Sequence, residues 1–269
     1  MHVERFGAVR GARVFAALHG WSGDHRTFEP LYRRLPADVT FLAADLPGCG
    51  NSPPPRAWTV EAIADEIADW LQTLDCPVTL VGNCSGANFA MFAALRVPER
   101  GAERSVARIV AIDAFAFWPW YLRVFVHPVI GRYAYFSTFA NPIGRALTNL
   151  SLSAKRAKET SLTDGFSRVD HETTFRYLEV LRDAGGIEAF RALPMPVDFA
   201  YGDKSFDAVR ESARRFVNLL PHARAVVLPG AGHLPIQEAT GALCRLLFET
   251  DTTQRKEPLC PTLNAHIAS

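Results

Sequence analysis

The chain has no charge excess, no long apolar run and few cysteines, and each shortage excludes something. Its 29 Lys and Arg face 28 Asp and Glu, a net charge of +1 over 269 residues. Wrapping a nucleic acid needs a basic face to meet the phosphates, so that partner is excluded and a small, weakly charged ligand is expected. No stretch reaches the roughly 18 apolar residues that cross a bilayer, so no transmembrane segment is expected. The opening Met1-His2-Val3-Glu4-Arg5-Phe6 has no apolar signal core. The five cysteines, Cys49, Cys76, Cys84, Cys244 and Cys260, are odd in number, scattered and without a Cys-x-x-Cys pair. That pattern argues against a zinc site and against a disulfide framework, and fits a reducing, cytoplasmic compartment. No metal or organic cofactor is implied, and oligomeric state is not readable from the pattern.

What is present suffices for a substantial core: 48% of residues are hydrophobic and 11% aromatic. Short apolar runs at Arg13–Leu18, Val39–Ala44, Val78–Val81, Arg108–Ile112, Val197–Tyr201 and Ala225–Leu228 read as strands. Between them lie helical periods. Val60, Ile63, Ile67, Leu71 and Leu74 share a face after the capping residue Thr59, as do Val209, Phe216, Val217 and Leu220. Ile236, Leu243, Leu246 and Leu247 mark a last helix. This β-α-β-α rhythm predicts an α/β fold with a mostly parallel sheet covered by helices. The rhythm stops between residues 114 and 194, where no strand-like run occurs and aromatics crowd together: Phe115, Phe117, Trp118, Trp120, Tyr121, Phe125, Tyr133, Tyr135, Phe136 and Phe139. A helical insertion is expected there. The polar tail 251–269, with two prolines, is expected to be loosely held, and the charged run from Arg96 to Arg108 to be a solvated helix end and loop.

The most informative stretch is Leu80-Val81-Gly82-Asn83-Cys84-Ser85-Gly86-Ala87-Asn88-Phe89. An apolar strand ends at Gly-x-Cys-x-Gly and a helix of small residues follows at once. A nucleophile on a sharp strand-to-helix turn needs strained backbone angles, and side chains two positions to either side would collide with it. The spacing selects Cys84: a centre at Ser85 would need glycines at positions held by Asn83 and Ala87. The turn also places Cys84 at a helix N-terminus, where the dipole favours a thiolate.

With three further motifs in register, the chain resembles the α/β-hydrolase superfamily. Leu18-His19-Gly20-Trp21-Ser22-Gly23 is similar to the family's His-Gly turn, Asp45-Leu46-Pro47-Gly48-Cys49-Gly50-Asn51-Ser52 to its Asp-x-x-Gly-x-Gly-x-Ser loop, and Gly230-Ala231-Gly232-His233-Leu234-Pro235 to the segment carrying the catalytic His. The resemblance spans Arg13 to about Leu247. It implies the α/β-hydrolase fold, with a core of residues 1–113 and 195–250 and a helical cap at 114–194. It also implies His233 as the base and the backbone N–H groups of Trp21 and Ser85 as the oxyanion hole. His19 would shape that loop.

The chain departs from the pattern twice. Most relatives place Ser at the elbow; this chain has Cys84. Many relatives read Gly-x-x-Asp after the strand Val197–Tyr201, whereas Gly202-Asp203-Lys204-Ser205 has Ser in that position. Asp207, two residues on, is the first choice for the acid and Asp113 at the end of the preceding strand the alternate; Asp203, or no acid at all, is the third option.

These residue types suit acyl chemistry. His233 would take the Cys84 proton, the thiolate would attack an acyl carbonyl, and an acyl-enzyme would form. The expected substrate is an ester or thioester with an apolar acyl group, free or carried by CoA or a carrier protein. Because a Cys acyl-enzyme is itself a thioester, acyl transfer or condensation with an acceptor other than water competes with hydrolysis. A non-catalytic ligand-binding protein on the same scaffold is a third reading. Cys49, Cys76, Cys244 and Cys260 are expected to be small buried hydrophobes and His171 a surface residue. The aromatic cluster either packs the insertion or lines an apolar pocket above Cys84, with an outer face that could touch lipid or a hydrophobic carrier.

Overall fold

A computed structural model describes residues 1–97 and 105–249. The tail 251–269, with Cys260, and the middle of the charged run between Arg96 and Arg108 lie outside the described residues. The β-branched and aromatic runs form β2 (Arg13–Leu18), β3 (Val39–Ala44), β4 (Val78–Asn83), β5 (Val106–Ile112), β6 (Val197–Gly202) and β7 (Ala223–Leu228). All are parallel. β2 to β5 are buried almost throughout because helices cover both faces. A seventh strand, β1 (Val3–Gly7), pairs antiparallel with β3 and gives the sheet order β1-β3-β2-β4-β5-β6-β7.

The helices in chain order are α1 (Glu29–Tyr32), α2 (Val60–Gln72), α3 (Ser85–Arg96), α4 (Gly131–Tyr135), α5 (Pro142–Ser151), α6 (His171–Asp183), α7 (Asp207–Leu219), α8 (Pro235–Glu238) and α9 (Thr240–Phe248). Thr59 caps α2 by accepting the Ala62 N–H at 3.2 Å, and Val60, Ile63, Ile67 and Leu71 are buried along one face. Two cores result. One places α2, α3 and α7 against the sheet around Leu80, Phe89 and Phe216. The other seats Phe28, Ile236 and Leu243 against Phe15, Phe41 and Val110 on the opposite face.

Three expectations need correction. The single last helix is two, α8 and α9, broken at Ala239, which adopts extended φ −128° with ψ 35°. Arg108 is not solvated: its guanidinium is buried beside Asp198, to which its Nε donates at 2.8 Å, and Asp198 Oδ1 also accepts from Arg224 Nε at 2.6 Å. His171 is half-buried rather than on the surface, with Nδ1 3.1 Å from the Tyr135 hydroxyl.

Between β5 and β6 the chain contains helices and turns and no strand. Its inner side forms an aromatic cluster of Tyr135, Phe139, Phe166 and Phe175 with Leu178. The sheet order reverses at β2, which has β3 on one side and β4 on the other. In open parallel sheets such a switch point opens a crevice at the carboxyl ends of the strands. The turns after β2 and β4, which carry Gly20-Trp21 and Cys84, meet there.

Candidate active site

Cys84 lies between β4 and α3 with φ 50° and ψ −119°. Among the described residues the only non-glycine positions with positive φ are Cys84 and Asp113. Such conformations cost of order 1–3 kcal/mol and persist where the surroundings enforce them. The surroundings here are close. A Cβ on Gly82 would sit 2.3 Å from Ala87 Cα, and one on Gly86 would sit 2.2 Å from the His19 carbonyl oxygen. Both flanking glycines are therefore required by backbone proximity, as the spacing predicts.

The loop after β2 approaches from the other side. His19 is fully buried; its Nε2 accepts the Leu46 N–H at 3.0 Å and its Nδ1 lies 2.8 Å from the Gly20 carbonyl. That pattern requires a neutral ring protonated on Nδ1, and burial lowers its pKa in agreement. Trp21 is anchored by its indole N–H, which donates to the Thr174 carbonyl at 2.9 Å, and by edge contacts with Phe139 and Phe166. The backbone N–H groups of Trp21 and Ser85 have no acceptor in the hydrogen bonding of the described residues, so both are available to a ligand oxygen. The Ser85 hydroxyl is likewise buried without a partner.

His233 follows β7 on a loop held by the insertion: its N–H donates to the Lys155 carbonyl at 2.9 Å. The Phe206 and Phe115 rings meet the imidazole edge-on, at centroid distances of 4.9 and 5.7 Å. Its Nδ1 lies 2.7 Å from Asp113 Oδ2. Asp113 is buried at the end of β5. Its Oδ1 accepts the Gly202 N–H at 3.2 Å, and its Oδ2 also accepts the Ser205 hydroxyl at 2.6 Å. Burial alone would lower the pKa of His233. Hydrogen bonding to Asp113 and Cys84 and the negative charges of both partners outweigh it, raising the pKa to about 10.

The expected carboxylate does not reach His233. Asp207 begins α7 with its side chain in solvent, paired with Arg210 and 3.9 Å from Lys155 Nζ. Asp203 Oδ1 accepts the Gly230 N–H at 2.9 Å and holds that turn. Asp113, the alternate, makes the contact instead. Ser205, in the place where an acid was sought, lies 3.3 Å from His233 Nδ1 and bridges it to Asp113.

A cavity of about 1240 Å³ extends from Cys84 and His233 beneath the helices between β5 and β6. Phe115, Phe117, Trp118 and Phe125 line it, with Asn83, Asn88 and the Lys155 region supplying polar groups. Tyr121 also lines the cavity, and its hydroxyl is buried without a hydrogen-bond partner. Burial, then the charge of a Cys84 thiolate and of Asp207, pushes its pKa up to about 12. Cys76 is buried, whereas Cys49 and Cys244 are partly exposed; burial raises the Cys49 thiol to about 12 and also raises Cys244.

Comparison with known proteins agrees with this architecture. The chain is 32% identical over 102 residues to pimeloyl-[acyl-carrier protein] methyl ester esterase of Neisseria meningitidis serogroup C, a match covering 36% of this chain and 39% of that protein. It is 34% identical over 114 residues to lipase LipV of Mycobacterium tuberculosis, covering 42% and 41%. The matches thus span about two fifths of these relatives. Among solved structures, the esterase EaEST from Exiguobacterium antarcticum superposes with a TM-score of 0.73 at 17% identity, over 92% of this chain and 94% of that one. A thermophilic esterase from Thermogutta terrifontis gives 0.70 at 19%, over 92% and 91%. At those identities the likeness is one of fold. The family model for the alpha/beta hydrolase family matches residues 14–246, and the chain belongs to that family.

Proposed function

We propose that the protein hydrolyses an ester or thioester with an apolar acyl group, using Cys84 as nucleophile, His233 as base and Asp113 as the acid that holds His233. The observation that carries this reading is the convergence of a strained Cys84 and the His233–Asp113 pair on one cavity. With Nδ1–H given to Asp113, His233 keeps Nε2 free to take the proton of Cys84. The thiolate adds to the acyl carbonyl carbon, and the N–H groups of Trp21 and Ser85 stabilise the oxyanion. The tetrahedral intermediate collapses, expelling the alcohol or thiol with the proton from His233, and leaves the acyl group on Cys84 as a thioester. Water, deprotonated by His233, then releases the acid and frees the thiol. The helical segment between β5 and β6 acts as the cap whose aromatics receive the acyl chain.

The relatives' names support ester substrates, and one names an ester on an acyl carrier protein. Thioester chemistry at Cys84 also favours a second reading in which an alcohol, amine or thiol replaces water as acceptor. A reducing cytoplasm would keep the nucleophile free. The test is Cys84→Ala with p-nitrophenyl esters and acyl thioesters. Turnover is expected to vanish with the fold intact, and wild-type turnover would refute the nucleophile. Product analysis with and without added acceptors separates hydrolysis from transfer.

A further inference from the structure

We propose that the outer surface of residues 120–150 docks the protein on an anionic lipid bilayer, so that an acyl substrate enters the cavity from the membrane. Exposed large apolar side chains are rare elsewhere: among the described residues, all except Val9 and Val227 fall between Trp120 and Leu150. Trp120 is 81% exposed, Tyr133 76%, Ile143 70% and Leu150 69%. Soluble monomers seldom gather such side chains without a partner for them. Helix α5 makes the point most sharply. Ile143, Leu147 and Leu150 recur at helical spacing on one exposed face, no residue of α5 is buried, and the cavity side carries Thr148 and Ser151. The amphipathic pattern of an ordinary surface helix is turned inside out, apolar face outward.

The charge around this face selects the occupant. Residues 114–158 contain no Asp or Glu, but include Arg123, Arg132, Arg145, Lys155, Arg156 and Lys158. Arg132 pairs with Glu172 and Lys155 approaches Asp207, both from outside the segment. Arg145 and Arg156 donate to backbone carbonyls, which leaves their charge uncancelled, and Arg123 is exposed. Two copies of such a face would repel each other. An anionic surface attracts it, while exposed Trp, Tyr and aliphatic side chains enter the headgroup boundary. No helix of the described residues is long and apolar enough to cross the bilayer, so contact is peripheral. The same segment lines the cavity with Leu122 and Phe125, which puts the acyl pocket directly behind the docking face. Docking is independent of the chemistry assigned to Cys84; delivery of an acyl substrate rests on that assignment.

The experiment is flotation of the full chain with vesicles of phosphatidylcholine alone and of phosphatidylcholine with phosphatidylglycerol. Binding to the anionic vesicles, weakened by salt, is expected. The variant Ile143→Gln/Leu147→Gln/Leu150→Gln keeps good helix formers at exposed positions. It should bind at least about tenfold more weakly, with unchanged circular dichroism and unchanged turnover of a soluble short-chain ester. Arg123→Gln should bind the anionic vesicles more weakly and leave binding to neutral ones unaltered. Absence of binding to anionic vesicles, or equal binding by the triple variant, overturns the proposal. So does a dimer in size-exclusion chromatography that the triple variant abolishes, or capture of an acidic carrier protein by this face in place of vesicles. Wild-type protein that floats with vesicles yet cleaves no ester would refute the hydrolase reading alone.

Discussion

Replacing Asp113 by Asn perturbs the site at one atom pair with little change of shape. Asp113 Oδ2 is the acceptor for His233 Nδ1 at 2.7 Å and for Ser205 Oγ at 2.6 Å. The amide keeps the volume but removes the negative charge and, in one orientation, offers a donor where His233 also donates. His233 stands raised from 6.5 to about 10, with Asp113 and Cys84 opposing its burial. Without Asp113, burial acts against Cys84 alone and the imidazolium loses its proton at lower pH. Each unit of that fall is about 1.4 kcal/mol of lost interaction. In the wild type the alkaline limb of kcat/KM is expected near pH 10; in the variant it should move down by about a unit or more. The rate at neutral pH should fall by roughly 10²–10⁴-fold, the cost of an imidazole freed from its orienting acid.

Stability follows the same sign. A raised His pKa contributes stability fully present below about pH 6.5 and lost as pH rises through about 10. The deficit of Asp113→Asn should therefore be greatest in acid and shrink toward pH 10. The assays are pH profiles of ester turnover and of Cys84 alkylation by iodoacetamide, together with urea melts at pH 6 and pH 10. An unmoved alkaline limb with a wild-type rate would refute the role of Asp113. Asp207→Asn is the control: its carboxylate is exposed and bound to Arg210, and all three readouts should match the wild type.

Two other variants probe groups that the fold holds at a cost. Tyr121→Phe removes a buried hydroxyl with no partner, so thermal stability should hold or rise by up to about 1 kcal/mol. Ester kcat/KM should drop by about fivefold if that hydroxyl meets the bound acyl group, and equal kcat/KM with equal stability would deny it a binding role. Asp198→Asn strips the shared carboxylate from buried Arg108 and from Arg224. Removing the buried carboxylate that both guanidinium groups share should cost up to about 3–5 kcal/mol in urea unfolding, and a loss below about 1 kcal/mol, as for an exposed pair, would contradict the buried-pair reading.

The parallel strands and the elbow were legible because their signals are local. β2 to β5 are nearly unbroken apolar runs, and the glycines around Cys84 sit where backbone contact forbids any Cβ. β1 was missed because it is a half-exposed edge strand whose Glu4 and Arg5 break the apolar pattern. Arg108 was misread because its partner Asp198 lies on the neighbouring strand β6, far away in sequence. Asp207, the first choice, lies away from His233 for a related reason. Asp207 is near the usual position in the chain, but what brings a carboxylate to His233 is the φ of 49° at Asp113 and the Ser205 bridge across β6. Neither leaves a trace in residue spacing. The insertion's aromatics were visible as a group, yet their division into a buried cluster around Tyr135 and an exposed set with Trp120 and Tyr133 depends on how several short helices pack.

A covalent acyl-enzyme on Cys84 is the intermediate through which the proposed chemistry runs. Wild-type protein mixed with an activated medium-chain acyl ester, quenched in acid and measured by intact mass, should gain the mass of one acyl group. The adduct should map to the peptide containing Cys84, discharge with hydroxylamine, and be absent in Cys84→Ala. Turnover with no adduct on Cys84, or an adduct that survives in Cys84→Ala, would contradict the account.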